Sequence, residues 1–415
     1  MAVKFRIPTL VFFVLFSFFL SANDGGDKEK SGKEYSFLIQ DSPSSLFTMR
    51  QSNETFLSLY RLSVNAINQS FSLKTSLLAQ TVLDLFFVPL THEEGHRSIL
   101  TNENIGAISK PYFNKNMAAY VTGVRNDELI ALRTANRPVF TRMYTAGLES
   151  DYTLLLREKD LLVRDQNEYE VLYVDYLVRK LNLISYYAMG LFKYNINLDE
   201  EADELKRDIA GHDVYGAIRS LHNPSMEFRR YVDYDDLLPE ERKFVKRVGW
   251  RSLLNFLDPS LILHKGFSVR EKYRLDFNFG YMMCPFGDLI DEHLWLKANR
   301  LNYHLYFRQF QNKQTWFPAF GLEISDINLF ENFHSAISLH GWNQPKDMSF
   351  TGKDAETGGA IDLLCKYRFP INNNSRLKGV SLNLGLIAKT KGFLPEENVM
   401  GKHFGIRFGA SIWLR

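Results

Sequence analysis

The chain has 415 residues, 45% of them hydrophobic and 24% charged, enough for two buried cores and too apolar for a disordered polypeptide. A formal net charge of +2 offers no basic footprint, so no nucleic-acid partner is expected. The chain carries 33 Phe and 20 Tyr, aromatic residues that sheet faces or a membrane girdle would use.

The first residues read as an export signal: Lys4 and Arg6, then an apolar run from Ile7 to Leu20, then the small residues Ser21 and Ala22. The run is short for a bilayer span and no cysteine lies near the cleavage point, so residues 1–22 are expected to be a cleaved signal peptide. Residues 23–34 are charged and Gly-rich and suit a flexible linker.

From Tyr35 to about residue 262 the period is helical, with Leu161, Tyr169, Leu172, Tyr173, Tyr176, Leu177, Leu181 and Ile184 near 3.6-residue spacing. Within it, the apolar segment Leu77 to Leu90 leads straight into His92-Glu93-Glu94-Gly95-His96. Pro89 predicts a kink or a restart, and Thr91 with Glu94 also fits a capping box. On a helix, side chains four apart share a face, so His92 and His96 can both reach one tetrahedral zinc at about 2.0–2.1 Å. Glu93 would point to the open metal position and act as general base toward a water that the metal acidifies.

Catalytic zinc needs a third protein ligand. Glu128, Glu149, Asp151 and His212 are candidates. Glu149 is favoured because small residues surround its carboxylate in Thr145-Ala146-Gly147-Leu148-Glu149-Ser150-Asp151, at the start of a predicted helix. The stretch from His92 to Asp151 resembles the gluzincin metallopeptidases, in which a glutamate on a second helix completes the site. The resemblance implies zinc held by His92, His96 and Glu149, with Asp151 orienting a ligand histidine. Gly95 suits close packing of another backbone and is similar to the His-Glu-x-Gly-His variant of membrane-embedded metallopeptidases. Glu94 and Arg97 depart from the uncharged residues usual at those positions.

A second polar cluster, Gly211-His212-Asp213 with Tyr215, falls on a helix predicted over 201–221. His212 and Tyr215 are candidate donors to the oxyanion of a tetrahedral intermediate, and an interhelical hydrogen bond is the plainer reading. No Walker loop, dinucleotide fingerprint, Gly-x-Ser-x-Gly elbow or zinc-ribbon cysteine pair is present.

Beyond residue 264 the period changes to two. Tyr273, Leu275, Phe277, Phe279 and Tyr281 alternate with Arg274, Asp276, Asn278 and Gly280, and similar runs recur at 301–308, 361–369, 382–389 and 403–414. With weaker runs near 319–325 and 334–342, this predicts about seven or eight strands of a length that crosses a bilayer when tilted. The last strand resembles the terminal strand of Gram-negative outer-membrane barrels, although it ends Trp413-Leu414-Arg415 where those end in Phe. A soluble barrel or sandwich alternates in the same way, so alternation leaves open which face meets lipid. Cys284 and Cys365 are either a single bridge or two small apolar strand residues.

The expectation is therefore an α+β protein, with a helical, metallohydrolase-like domain over 35–262 followed by an antiparallel β-barrel over 263–415. The expected activity is that of an exported, zinc-dependent, membrane-associated metallopeptidase in a Gram-negative outer membrane, acting on polypeptide or lipid-associated substrates. Two alternatives stand beside it. One is a non-catalytic outer-membrane barrel for transport, adhesion or assembly; the other is a lipid or ester hydrolase using the same zinc.

Overall fold

The computed structural model describes residues 32–415 apart from 45–46, 111–118, 197–199, 271–272 and 372–375. The predicted signal peptide and most of the predicted linker lie outside the described residues.

Helices dominate the first part of the described chain. Helix α1, Met49–Ser70, opens on a capping box in which Thr48 and Gln51 satisfy each other's backbone N–H groups. Helix α2, Leu73–Asn102, runs 30 residues and passes through Pro89 without a break. Thr91 does not cap a new helix there, because its hydroxyl donates back to the Phe87 and Val88 carbonyls at 3.3 and 3.2 Å. Then come α3, Asn126–Ala135, and α4, Arg137–Arg164, whose first turn carries Pro138 and is capped by the Asn136 side chain. They are followed by α5, Tyr169–Ala188, α6, Asp213–His222, and α7, Pro239–Ser252.

The helix predicted over 201–221 is not formed as such. Only Glu204–Lys206 makes a 3-10 turn, and α6 starts at Asp213. Between them the Ile209 and Gly211 amides donate to the Val121 and Arg230 carbonyls, at 3.0 and 3.3 Å, which ties this bent stretch to neighbouring chain and keeps these amides out of a helix. Val121 lies in β3, Tyr120–Thr122, which pairs with β2, Ile108–Lys110, in a separate two-stranded sheet.

The large sheet has ten antiparallel strands in the order β1-β12-β11-β10-β9-β8-β7-β6-β5-β4. Strand β1 is Lys33–Asp41, so the region read as helical from Tyr35 starts by joining the sheet. The others are β4, Phe267–Arg270; β5, Tyr273–Cys284; β6, Gly287–Ala298; β7, Leu301–Gln311; and β8, Trp316–Phe330. Strands β9, Phe333–Pro345; β10, Ala355–Pro370; β11, Leu377–Lys389; and β12, His403–Leu414, complete it. Strand β6 escaped the alternation pattern because Asp288, Asp291 and His293 are buried among its apolar residues.

The sheet is not closed into a barrel, which corrects the expectation: β1 and β4 are its two edges. Helix α1 seals the first edge. Gln51, Ser58 and Arg61 donate to the β1 carbonyls of Ile39, Ser36 and Glu34 at 2.8, 2.5 and 2.8 Å. Near the other edge, Tyr169 and Tyr173 of α5 donate to the carbonyls of His264 and Leu261, both at 2.9 Å. Along β1, side chains thus take over hydrogen bonds that a closing strand would have made.

The two faces of the sheet differ in kind. Its inner face, toward α4, is polar: Arg308 clasps Asp291 at 2.6 and 2.7 Å, and Tyr152 donates to Asp291 at 2.7 Å. Lys159 of α4 sits between Asp258 and Asp276, at 3.2 and 3.1 Å. A polar cavity of about 800 Å³, lined by residues such as Arg157, His304 and Asp362, separates part of this face from the helices. The outer face carries the apolar residues, with Phe320, Leu382 and Phe404 more than half exposed. Cys284, which is buried, and Cys365 are both free thiols.

Candidate metal centre

The site forms where α2 crosses α4. A Cβ built on Gly95 would lie 2.4 Å from the Ala146 carbonyl oxygen, so only glycine lets the two backbones approach this closely. Glu94 and Arg97, the charged residues that broke the family pattern, pair with each other at 2.6 Å, and Arg97 also donates to the Phe47 carbonyl at 2.9 Å.

On α4, Met143, Gly147 and Asp151 are spaced four apart and form one stripe against His92 and His96. The His96 Nδ1–H donates to the Met143 carbonyl at 2.6 Å, and the His92 Nδ1–H donates to Asp151 at 2.8 Å. A carbonyl can only accept, which fixes the proton of His96 on Nδ1. Arg179 holds the other Asp151 oxygen at 2.6 Å, and it also donates to Thr91 at 2.7 Å. Both Nε2 atoms are thereby turned toward one point over Gly147, whose added Cβ would meet them at 2.4 and 2.5 Å.

The carboxylate that faces this point is Asp213, the first residue of α6. It lies 3.0 Å from His92 Nε2 and 3.2 Å from His96 Nε2, and the ligand atoms of all three residues fall within 4.8 Å of one another. Burial alone would raise the Asp213 carboxyl, but the facing imidazoles of His96 and His92 outweigh it and hold the group well below the usual carboxylate range. It stays an anion.

Glu149 is not brought to the histidines. Asp151 faces His92, and two residues along a helix is about 200° of turn, so Glu149 points to the opposite side of α4. There Arg142 grips it with two bonds, at 2.6 and 3.0 Å, and the Glu396 amide donates to it at 2.8 Å. The third member of the cluster is Asp213 in place of the favoured Glu149. Asp151 occupies the orienting position beside His92. Glu128 is spent on the N-terminus of α3, where it accepts from the Arg125 amide at 2.8 Å.

Glu93 is buried beside the histidines, and burial raises its carboxyl pKa. His212 stacks on Tyr215 at 3.8 Å and lies 4.9 Å from the ring of Tyr186, which in turn lies 5.9 Å from the ring of His92. Burial pushes His212 down to about 4, so its ring is neutral. Tyr215 is fully buried and donates to the Tyr194 carbonyl at 3.0 Å, a bond from α6 to the loop after α5 instead of one between two helices. Tyr186 and Asp208 were missed by sequence reasoning. Tyr186 Oη accepts a long bond from the Asp213 amide, at 3.4 Å, and burial together with the Glu93 carboxylate pushes Asp208 well above its ordinary pKa.

The donor set fits a small divalent cation. In a tetrahedron with bonds of about 2.0 Å the ligand atoms lie about 3.3 Å apart, close to the separations here, and two imidazoles with one carboxylate are a zinc-type set. Each imidazole also has its second nitrogen engaged, as metal-bound histidines do. Compared with protein-family models, curated proteins and solved structures, the chain matches none.

Proposed function

We propose that the chain is a zinc-dependent hydrolase whose metal is held by His92, His96 and Asp213. The observation that carries this reading is the convergence of two Nδ1-anchored imidazoles on one ionised carboxylate. Bound zinc would supply a Lewis acid and lower the pKa of a coordinated water to about 7. The chain's own groups have distinct tasks around it. Glu93, next to both histidines, accepts and returns the proton. Asp151 and the Met143 carbonyl fix the imidazoles in the tautomer that binds metal. Tyr186, whose ring lies between those of His92 and His212, would donate its hydroxyl to an oxyanion.

Amide bonds are the substrate class we favour, on the spacing of the two histidines and the intervening glutamate. Metal analysis of the purified full chain tests the centre: about one zinc per chain is expected, lost in His92→Ala and kept in Glu93→Gln. Casein-like and lipid substrates assayed in parallel test the chemistry, with activity expected on the former and abolished by Glu93→Gln. A wild-type protein without metal sinks the enzyme reading, and activity on lipid alone overturns the peptidase assignment.

A further inference from the structure

Two unrelated elements are turned inside out in the same sense. In the first part of α2 the residues directed inward are polar, namely Ser76, Gln80 and Asp84, while Leu78, Leu85 and Phe86 are more than half exposed. On β7 to β12 the inward residues include His304, Arg308, Asp362 and Arg407, while Phe320, Ile361, Leu382 and Phe408 stand outward. Soluble helices and sheets bury the opposite faces.

The outward residues form an apolar belt, in which Glu292 on β6 and Lys74 at the start of α2 are charged exceptions. It lies on the sheet exterior and on α2. Exposed patches on soluble monomers rarely exceed a few hundred Å², and a second copy of the chain would cover only one sector of such a belt. Hydrocarbon is the occupant that matches a surface this poor in charge on two sides.

Lengths agree with that occupant. Strands β5, β6 and β12 have 12 residues each. At about 3.3 Å per residue and a tilt of about 45° such a strand spans about 28 Å, and residues 73–90 of α2 span about 27 Å, against a hydrocarbon core of about 30 Å. An open sheet fails in hydrocarbon because edge groups go unpaired, and here Gln51, Ser58 and Arg61 of α1 take that role along β1.

We infer that a lipid bilayer covers this belt, with the first part of α2 standing in hydrocarbon as well. The helical half is then itself embedded instead of hanging from a separate anchor. Phe86, the last strongly exposed apolar residue of α2, precedes His92 by about 9 Å along the helix, so the metal centre sits at the rim of the belt.

Spin labels on the full chain, reconstituted in phosphatidylcholine–phosphatidylglycerol vesicles, test the inference without involving the metal, so its failure would leave the hydrolase reading standing. In a Cys284→Ser, Cys365→Ser background, labels at Leu85→Cys and Phe320→Cys are expected to be open to oxygen and shielded from a nickel chelate. Lys206→Cys, in an exposed turn, should show the reverse. A Leu85 label open to nickel beside a shielded Phe320 label overturns the embedded helix, and two nickel-accessible labels overturn the belt. Should those variants not fold, wild-type Cys365 on the outer face provides a second readout. A water-soluble maleimide should label it at least about tenfold more slowly in vesicles than after urea unfolding, and equal rates would refute the belt.

Discussion

Replacing Gly147 by Ala tests the metal centre from a position that contributes no ligand. The added Cβ would stand 2.4 Å from His92 Nε2 and 2.5 Å from His96 Nε2. Ordinary contacts begin near 3.5 Å, so both rings must retreat by about 1 Å, whereas metal–ligand distances tolerate about 0.2 Å. Their retreat is opposed by the bonds from Nδ1 to Asp151 and to the Met143 carbonyl. Disturbing the groups that merely support a ligand costs about 10–100-fold in affinity, so displacing two ligands should cost at least about 100-fold, or about 2.7 kcal/mol. The metal-free protein should lose no more than about 1–3 kcal/mol from overpacking, partly offset by about 1 kcal/mol of helix propensity. Zinc affinity measured by competition with a chromophoric chelator, beside circular dichroism and denaturant melts of the metal-free form, separates the two effects. A folded Gly147→Ala protein that binds zinc like the wild type would refute the convergence of the two rings on one ion.

Asp213→Asn and Glu149→Gln form a matched pair. The first should abolish zinc binding with little loss of fold. The second should cost about 3–5 kcal/mol, because the buried Arg142 loses its charge partner, yet leave metal stoichiometry intact in the folded fraction; denaturant titration with metal analysis reads both. Asp151→Asn should weaken zinc about 10–100-fold and lower stability as well, since Arg179 is buried against the same carboxylate. For Glu397, burial pushes the carboxyl up, but His403, Arg50 and Arg407 outweigh this and bring it to about 2. A carboxylate with a lowered folded pKa stabilises above its unfolded value, near 4.5, and that contribution vanishes as pH falls toward about 2. Glu397→Gln should therefore lower stability at neutral pH and match the wild type near pH 2, as acid titrations of the two melts would show.

His92, Glu93 and His96 were legible because their proximity is local: four residues along one helix fix it. The third member of the cluster was not, because Asp213 reaches the histidines only through the docking of α6 across 121 residues of chain. Between Glu149 and Asp151 the choice turned on the rotation of α4, and a two-residue step reverses the face. In the sheet, alternation revealed most strands, but it is blind to which side of the pleat faces the helices. Strand β6 stayed hidden because Asp291 and His293, paired to Arg308 and Tyr152, occupy an inner face where polar residues are the rule. The strand at Lys33–Asp41 borders a charged stretch whose composition suggests no order, and its partner β12 lies at the far end of the chain.

The stretch joining β11 to β12 tucks back among the helices, where Glu396, Glu397 and Asn398 meet Arg142, Glu149 and Arg50. The candidate metal centre and the sheet are consequently tied into a single folding unit. A truncation ending at residue 262 would strip the Arg142 guanidinium of two carbonyl acceptors and remove β12, the neighbour that holds β1 in register. Anyone seeking a minimal soluble fragment for crystallisation would do better to repaint the greasy exterior with polar substitutions than to cut the chain in two.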